Sequence, residues 1–154
     1  MNFDDAVAAV SGAGSPFETE QVIVGDATFR QFKNAPKTVR DLFESSRTID
    51  ATFLVYEDEE WSFQRVMDEA DALGYALVHS YNIKKGDRVG IAMRNLPEWI
   101  VSFAAILSVG AISVSLNAWW TEDEIDYAVN DAGLSLLIAD TERVMRAHLS
   151  LIHI

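Results

Sequence analysis

Few of the side chains able to do chemistry in this sequence stand close enough together to do it jointly. The three histidines, His79, His148 and His153, have no cysteine and no paired carboxylate at ligand spacing. Core or surface positions explain them better than a metal centre. The run Glu57-Asp58-Glu59-Glu60 could hold a cation, yet neighbouring side chains in a turn or strand point apart and no calcium-loop pattern surrounds it. It reads as a solvated acidic turn. Gly12 and Gly14 sit among small residues, as phosphate-cradling glycines do, but no strand precedes them and the dinucleotide spacing is missing. Ser11 to Pro16 is therefore read as a connector. Trp119-Trp120 offers a flat surface for stacking on a ligand. Flanked by Asn117 and Thr121 at a strand-to-helix junction, the pair is read first as a cover for the core. Serine is plentiful, but no serine stands in a nucleophile elbow. The chain has no cysteine, which excludes a thiol nucleophile, a disulfide and a zinc-thiolate centre.

Positioning elements are easier to read than a site. A short helix over Phe3 to Val10 precedes the connector, and Asn34-Ala35-Pro36 marks a turn, so residues 1–37 are expected to be a peripheral leader and linker. Thr38 to Arg47 has the spacing of a helix with Val39, Leu42 and Phe43 on one side. Thr52 to Tyr56 has strand composition, followed by the acidic turn and Trp61-Ser62-Phe63. From Phe63 to about Tyr81, Val66, Met67, Ala70, Leu73 and Leu77 recur at helical spacing. Lys84-Lys85-Gly86-Asp87 is a turn, and Arg88 to Met93 a short buried strand. Asn95-Leu96-Pro97-Glu98 opens a helix to about Ser108, with proline tolerated in its first turn. Ile112 to Leu116 alternates as a strand does. Thr121-Glu122-Asp123-Glu124 is a capping box starting a helix that buries Ile125, Ala128 and Val129 and closes at Asp131-Ala132-Gly133. Leu134 to Ala139 is a further strand, and Asp140 or Thr141 caps a last helix through Val144. Strand, helix, strand, helix, strand, helix in short units predicts an α/β fold, a partial parallel-sheet subdomain with flanking helices.

Composition bounds the rest. The 154 residues are 49% hydrophobic and 23% charged, the balance of a globular domain. A net charge of −12 repels phosphate backbones and anionic lipid, so nucleic acid is not an expected partner. Trp99 to Thr121 carries no charge and is long enough to span a bilayer, but Gly110-Ala111 interrupts it and strand periodicity follows, so no transmembrane segment is expected. The acidic start lacks the basic and apolar regions of a signal peptide, which makes a cytoplasmic location the default.

Several short motifs recur together in one known family. Trp61-Ser62-Phe63, Gly86 to Ile91, Asn95 to Glu98, Gly110-Ala111, Leu116 to Thr121, Glu124, Tyr127 and Asp131 resemble the opening region of adenylate-forming enzymes, the AMP-dependent synthetase/ligase family. Among these they look most like fatty-acyl-CoA synthetases. The resemblance covers roughly Thr38 to Val144, with residues 38–148 expected to be the N-terminal part of that domain. Ala118 stands where many members have proline after the asparagine. The resemblance implies a parent that joins a carboxylic acid to AMP from ATP, with magnesium, and then passes the acyl group to the thiol of coenzyme A. The family's phosphate loop and later acidic and lysine motifs do not occur in this chain. No catalytic, cofactor-binding or metal-ligating residue is therefore carried over, and no cofactor is expected to be bound by this part alone. The matching residues are read as scaffold: Gly86 for a tight turn, Asn95 and Thr121 for helix starts, Gly110 for close packing or a chain reversal.

Leu149 to Ile154 resemble the translation of a sequencing-library adapter, so residues 149–154 are expected to be a non-native tail on a C-terminally truncated reading of the gene, an ordinary apolar tail being the alternative. Truncation would leave the strands at Ile112 to Leu116 and Leu134 to Ala139 with a free edge, through which the fragment is expected to self-associate. Two other functions remain open at this stage: another adenylating branch acting on aryl or amino acids, and a non-catalytic α/β interaction module.

Overall fold

The computed structural model describes residues 2–146, which fall into two compact units meeting at Thr38 and Val39. The expected tail at residues 149–154, with His148 and His153, lies outside the described residues.

In the first unit, α1 (Phe3–Ser11) begins where the Asp5 N–H donates to Asn2 Oδ1 at 2.8 Å and the Asn2 N–H donates back to the Asp5 carboxylate. This reciprocal cap supplies partners to backbone donors that a helix start leaves free. Beyond the connector, the structure adds a hairpin that the pattern reading passed over, β1 (Thr19–Val24) and β2 (Ala27–Phe32), antiparallel with Val22 opposite Phe29. Val-Ile-Val and the two-residue Gly25-Asp26 turn were the available signals.

In the second unit, α2 (Val39–Ser46) leads to the antiparallel pair β3 (Thr52–Tyr56) and β4 (Glu59–Ser62). Of the three α2 residues expected on one face, Phe43 packs edge-on to Phe103 while Val39 and Leu42 stay exposed. The acidic run is shorter as a turn than expected: Glu59 and Glu60 belong to β4, because tight pairing of Tyr56 with Glu59 leaves only Glu57-Asp58 at the bend. Helix α3 (Phe63–His79) starts at Ser62, whose hydroxyl accepts from the Arg65 N–H, and buries Val66, Met67, Ala70 and Leu77.

Three parallel strands follow: β5 (Arg88–Ala92), β6 (Ile112–Ser115) and β7 (Leu136–Ala139), in the spatial order β6-β5-β7. Helices α4 (Pro97–Ser108) and α5 (Glu122–Ala132) make the crossovers, and α6 (Thr141–Arg146) follows β7. Side chains alternate across the sheet as a strand period of two requires. Val89, Ile91, Leu136 and Ile138 pack into the cluster with α3 and α4, whereas Ala92, Val114 and Leu137 pack with Ile125 and Val129 of α5. Gly90 on β5 lets Leu134 and Leu137 approach: a Cβ there would lie 2.5 and 2.8 Å from their methyl carbons.

Helix starts divide between expectation and correction. At Thr121, the Glu124 carboxylate accepts from the Thr121 N–H at 2.8 Å and from its hydroxyl at 2.9 Å. Asn95 does not cap α4. The cap position is Leu96, with no side-chain bond, and Pro97 at the helix start has no N–H to satisfy. No helix among the described residues is long and apolar enough to cross a membrane.

Candidate functional site

In open parallel sheets, ligands bind outside the carboxyl ends of the strands, where loops of different crossovers converge. Here that edge gathers Arg94 and Asn95 after β5, Asn117 to Trp120 after β6, and Asp140 after β7.

Asp140 ties two of the loops. Its carboxylate accepts from the Arg94 N–H and the Arg143 N–H, each at 3.0 Å, and lies 3.3 Å from the Arg143 guanidinium. Burial pushes the Asp140 pKa up, but the two N–H donors and the Arg143 charge outweigh it and hold the group below the usual aspartate value. Arg143, only 1% exposed, reaches the third loop by donating Nε–H to the Ala118 carbonyl at 2.7 Å. It also bonds Glu142 at 2.8 Å, which leaves its Nη2 buried without a partner among the described residues. One aspartate and one arginine thus fasten together the exits of all three strands.

Trp119 stands over this knot rather than inside the core. It is 71% exposed, with the Arg94 guanidinium 5.3 Å and the Arg143 guanidinium 5.9 Å from its ring. The core-covering expectation therefore fails for Trp119 and holds for Trp120, which packs beside Leu116 and Ile125. The Trp119 N–H donates to Asn117 Oδ1 at 2.9 Å, a tight local turn that aims the ring outward. A cavity of about 530 Å³ opens between this loop and the β3–β4 bend, lined by Tyr56, Glu57, Arg94, Asn95 and Trp119 among others. The arrangement offers a flat ring, a cation and amide groups beside Tyr56 and Glu57.

The other residues weighed for chemistry lie apart from this edge. His79 is exposed on α3 with its ring 4.2 Å from Tyr75. Gly14 sits in the connector at a φ of +77°. Among the described residues no group of three histidines, cysteines or carboxylates is arranged to hold a metal ion. Asp140 and Arg143 were missed as a pair. Their spacing of three on a helix start was the signal.

A sequence profile described as AMP-binding enzyme matches residues 43–152. The chain belongs to this family of adenylate-forming enzymes. It is 33% identical over 100 residues to a long-chain-fatty-acid–CoA ligase of Escherichia coli, covering 64% of this chain and 18% of the ligase. Similarity to bacitracin synthase 3 of Bacillus licheniformis is 29% over 109 residues, covering 70% of this chain and 2% of that protein. Among solved structures, an anthranilate CoA ligase in complex with anthranoyl-AMP superposes with a TM-score of 0.65 at 30% identity, covering 69% of this chain and 21% of that one. The N-terminal subdomain of NpsA from Klebsiella oxytoca, in complex with anthranilyl-AMSN, gives 0.64 at 26% identity, covering 73% of this chain and 29% of that subdomain. The chain thus spans less than a fifth of the ligase it resembles.

Proposed function

We propose that this chain is the N-terminal part of an ATP-dependent acyl-CoA synthetase whose substrate is a fatty or other hydrophobic acid, and that it is inactive alone. The parent reaction has two steps. A carboxylate oxygen attacks the α-phosphorus of ATP and expels pyrophosphate. The sulfur of coenzyme A then attacks the acyl carbon of the adenylate, AMP leaves, and the thiol proton passes to a base. A carboxylate is a poor electrophile, and joining it to AMP supplies a stable leaving group, while magnesium and fixed donors stabilise the charge that gathers on phosphorus.

The observation carrying this reading is the 33% identity over 100 residues to a long-chain-fatty-acid–CoA ligase. A scaffold role is supported at the sheet edge by Asp140, whose carboxylate is spent on two backbone N–H groups and on Arg143, and by Arg143, which reaches the Ala118 carbonyl. On this reading residues 1–37 are a leader, 38–148 the start of the ligase domain and 149–154 a tail foreign to it, and the parent works in the cytoplasm. An aryl-acid or amino-acid branch is the second reading, favoured by the 30% identity to an anthranilate CoA ligase.

The test is the gene downstream followed by ATP–pyrophosphate exchange on its full product with fatty, aryl and amino acids. Exchange stimulated most by fatty acids is expected. A downstream sequence without a Ser/Thr/Gly-rich loop and lysine, and a product without exchange, would replace the enzyme reading with a non-catalytic module.

A further inference from the structure

An exposed indole ordinarily samples several rotamers, and Trp119 is exposed. Here two cations meet its ring, the Arg94 guanidinium at 5.3 Å and the Arg143 guanidinium at 5.9 Å from the centre. Both cations are anchored on one carboxylate. Asp140 accepts from the Arg94 main-chain N–H at 3.0 Å and lies 3.3 Å from the Arg143 guanidinium. The main chain that carries the ring is pinned as well. Asn117 accepts twice, its side chain from the Trp119 N–H at 2.9 Å and its carbonyl from the Trp120 N–H at 3.1 Å. Between them the Ala118 carbonyl accepts from Arg143 Nε at 2.7 Å. The first two bonds are local, whereas the third reaches across 25 residues of chain.

We infer that Asp140, Arg143 and Arg94 form a charge clamp that holds the Trp119 ring in one position, as a fixed wall of the cavity of about 530 Å³ beside the β3–β4 bend. The face of an indole carries negative π density and attracts a guanidinium, and at an exposed ring each such contact favours the held position about twofold. Confining the ring costs side-chain entropy of similar size, so the clamp changes where the ring sits far more than it changes stability. Asp140 is the centre of the device. Without its charge the carboxylate left on Arg143 is that of Glu142, which is half exposed and shared with Arg146, and the guanidinium is free to leave the ring. The clamp consists of contacts made between Arg94 and Arg143 within the described residues, and it stands independently of the proposed reaction.

The experiment is fluorine NMR of the 154-residue chain labelled with 5-fluorotryptophan, which gives one line for each of Trp61, Trp99, Trp119 and Trp120. Loss of a line in Trp119→Phe identifies the one that matters. It is expected away from the position of free 5-fluorotryptophan, and to move towards that position in Arg94→Met, which alters an exposed side chain without touching the core. Arg94→Lys, which restores a cation, should recover most of that shift. Asp140→Asn, which keeps the shape and removes the charge, should move the line the same way as Arg94→Met. Arg40→Met on α2 should leave it in place. A Trp119 line already at the free position in the unaltered chain, or one that neither Arg94→Met nor Asp140→Asn moves, would overturn the inference.

Discussion

The two ends of the parallel sheet are held shut by different chemistry. At the amino ends of the strands the ties run from backbone to backbone: the Gly86 N–H donates to the Gly110 carbonyl at 3.0 Å, Ile112 to Asp87 at 2.8 Å, and Ser135 to Arg88 at 2.8 Å. Turns there rely on glycines with positive φ, among them Gly86 at +91° and Gly110 at +77°. At the carboxyl ends the corresponding ties are ionic side chains, Asp140 to two loops and Arg143 to the third. The amino end adds to its backbone ties one local side-chain bond, the Lys84 N–H donating to the Asp87 carboxylate at 2.8 Å. The other concentrates charge, amides and an exposed indole, so alteration there should be felt in both stability and surface chemistry.

The largest expected effect is at the carboxyl end. Arg143→Ala removes a buried guanidinium that serves Ala118, Asp140 and Glu142, and should cost about 3 kcal/mol in a denaturant titration. A loss no greater than that of an exposed arginine would break the comparison at its centre. Next is the amino end, where Gly110→Val places a branched side chain at a φ of +77° and against Lys85, whose Cγ lies 3.2 Å from the new Cβ. About 1 to 2 kcal/mol of destabilisation is expected.

Acid should separate the ends further. The Asp140 pKa is depressed in the fold, so its contribution is present above the ordinary aspartate value and is lost as pH falls through the lower folded one. Asp140→Asn should flatten that acid limb in melts followed against pH. The smallest effect is predicted for Trp119→Ala. With the ring 71% exposed, stability should change by no more than about 0.5 kcal/mol, while intrinsic fluorescence falls. A core-sized loss would return Trp119 to the interior.

How far each region could be read from sequence follows the same division. The crossovers and sheet were legible because apolar spacing in α3 and in β5 to β7 obeys helix and strand periods, and because the Thr121-to-Glu124 cap is a local motif. Asn95 misled because proline two residues on can start a helix without a side-chain cap. The hairpin at β1 and β2 went unread because its six-residue strands bury almost nothing, leaving no alternation of exposure to betray them. The carboxyl-end knot was hidden for another reason: Arg94, Ala118, Asp140 and Arg143 are separated by up to 46 residues along their hydrogen bonds, and only folding brings them together.

On the proposed function, these residues build the support of an adenylate-forming ligase and do not themselves grip ATP. Isothermal titration of the purified 154-residue chain with ATP and magnesium tests this most directly. No saturable heat is predicted, and a tight, stoichiometric ATP site on this polypeptide alone would contradict the account.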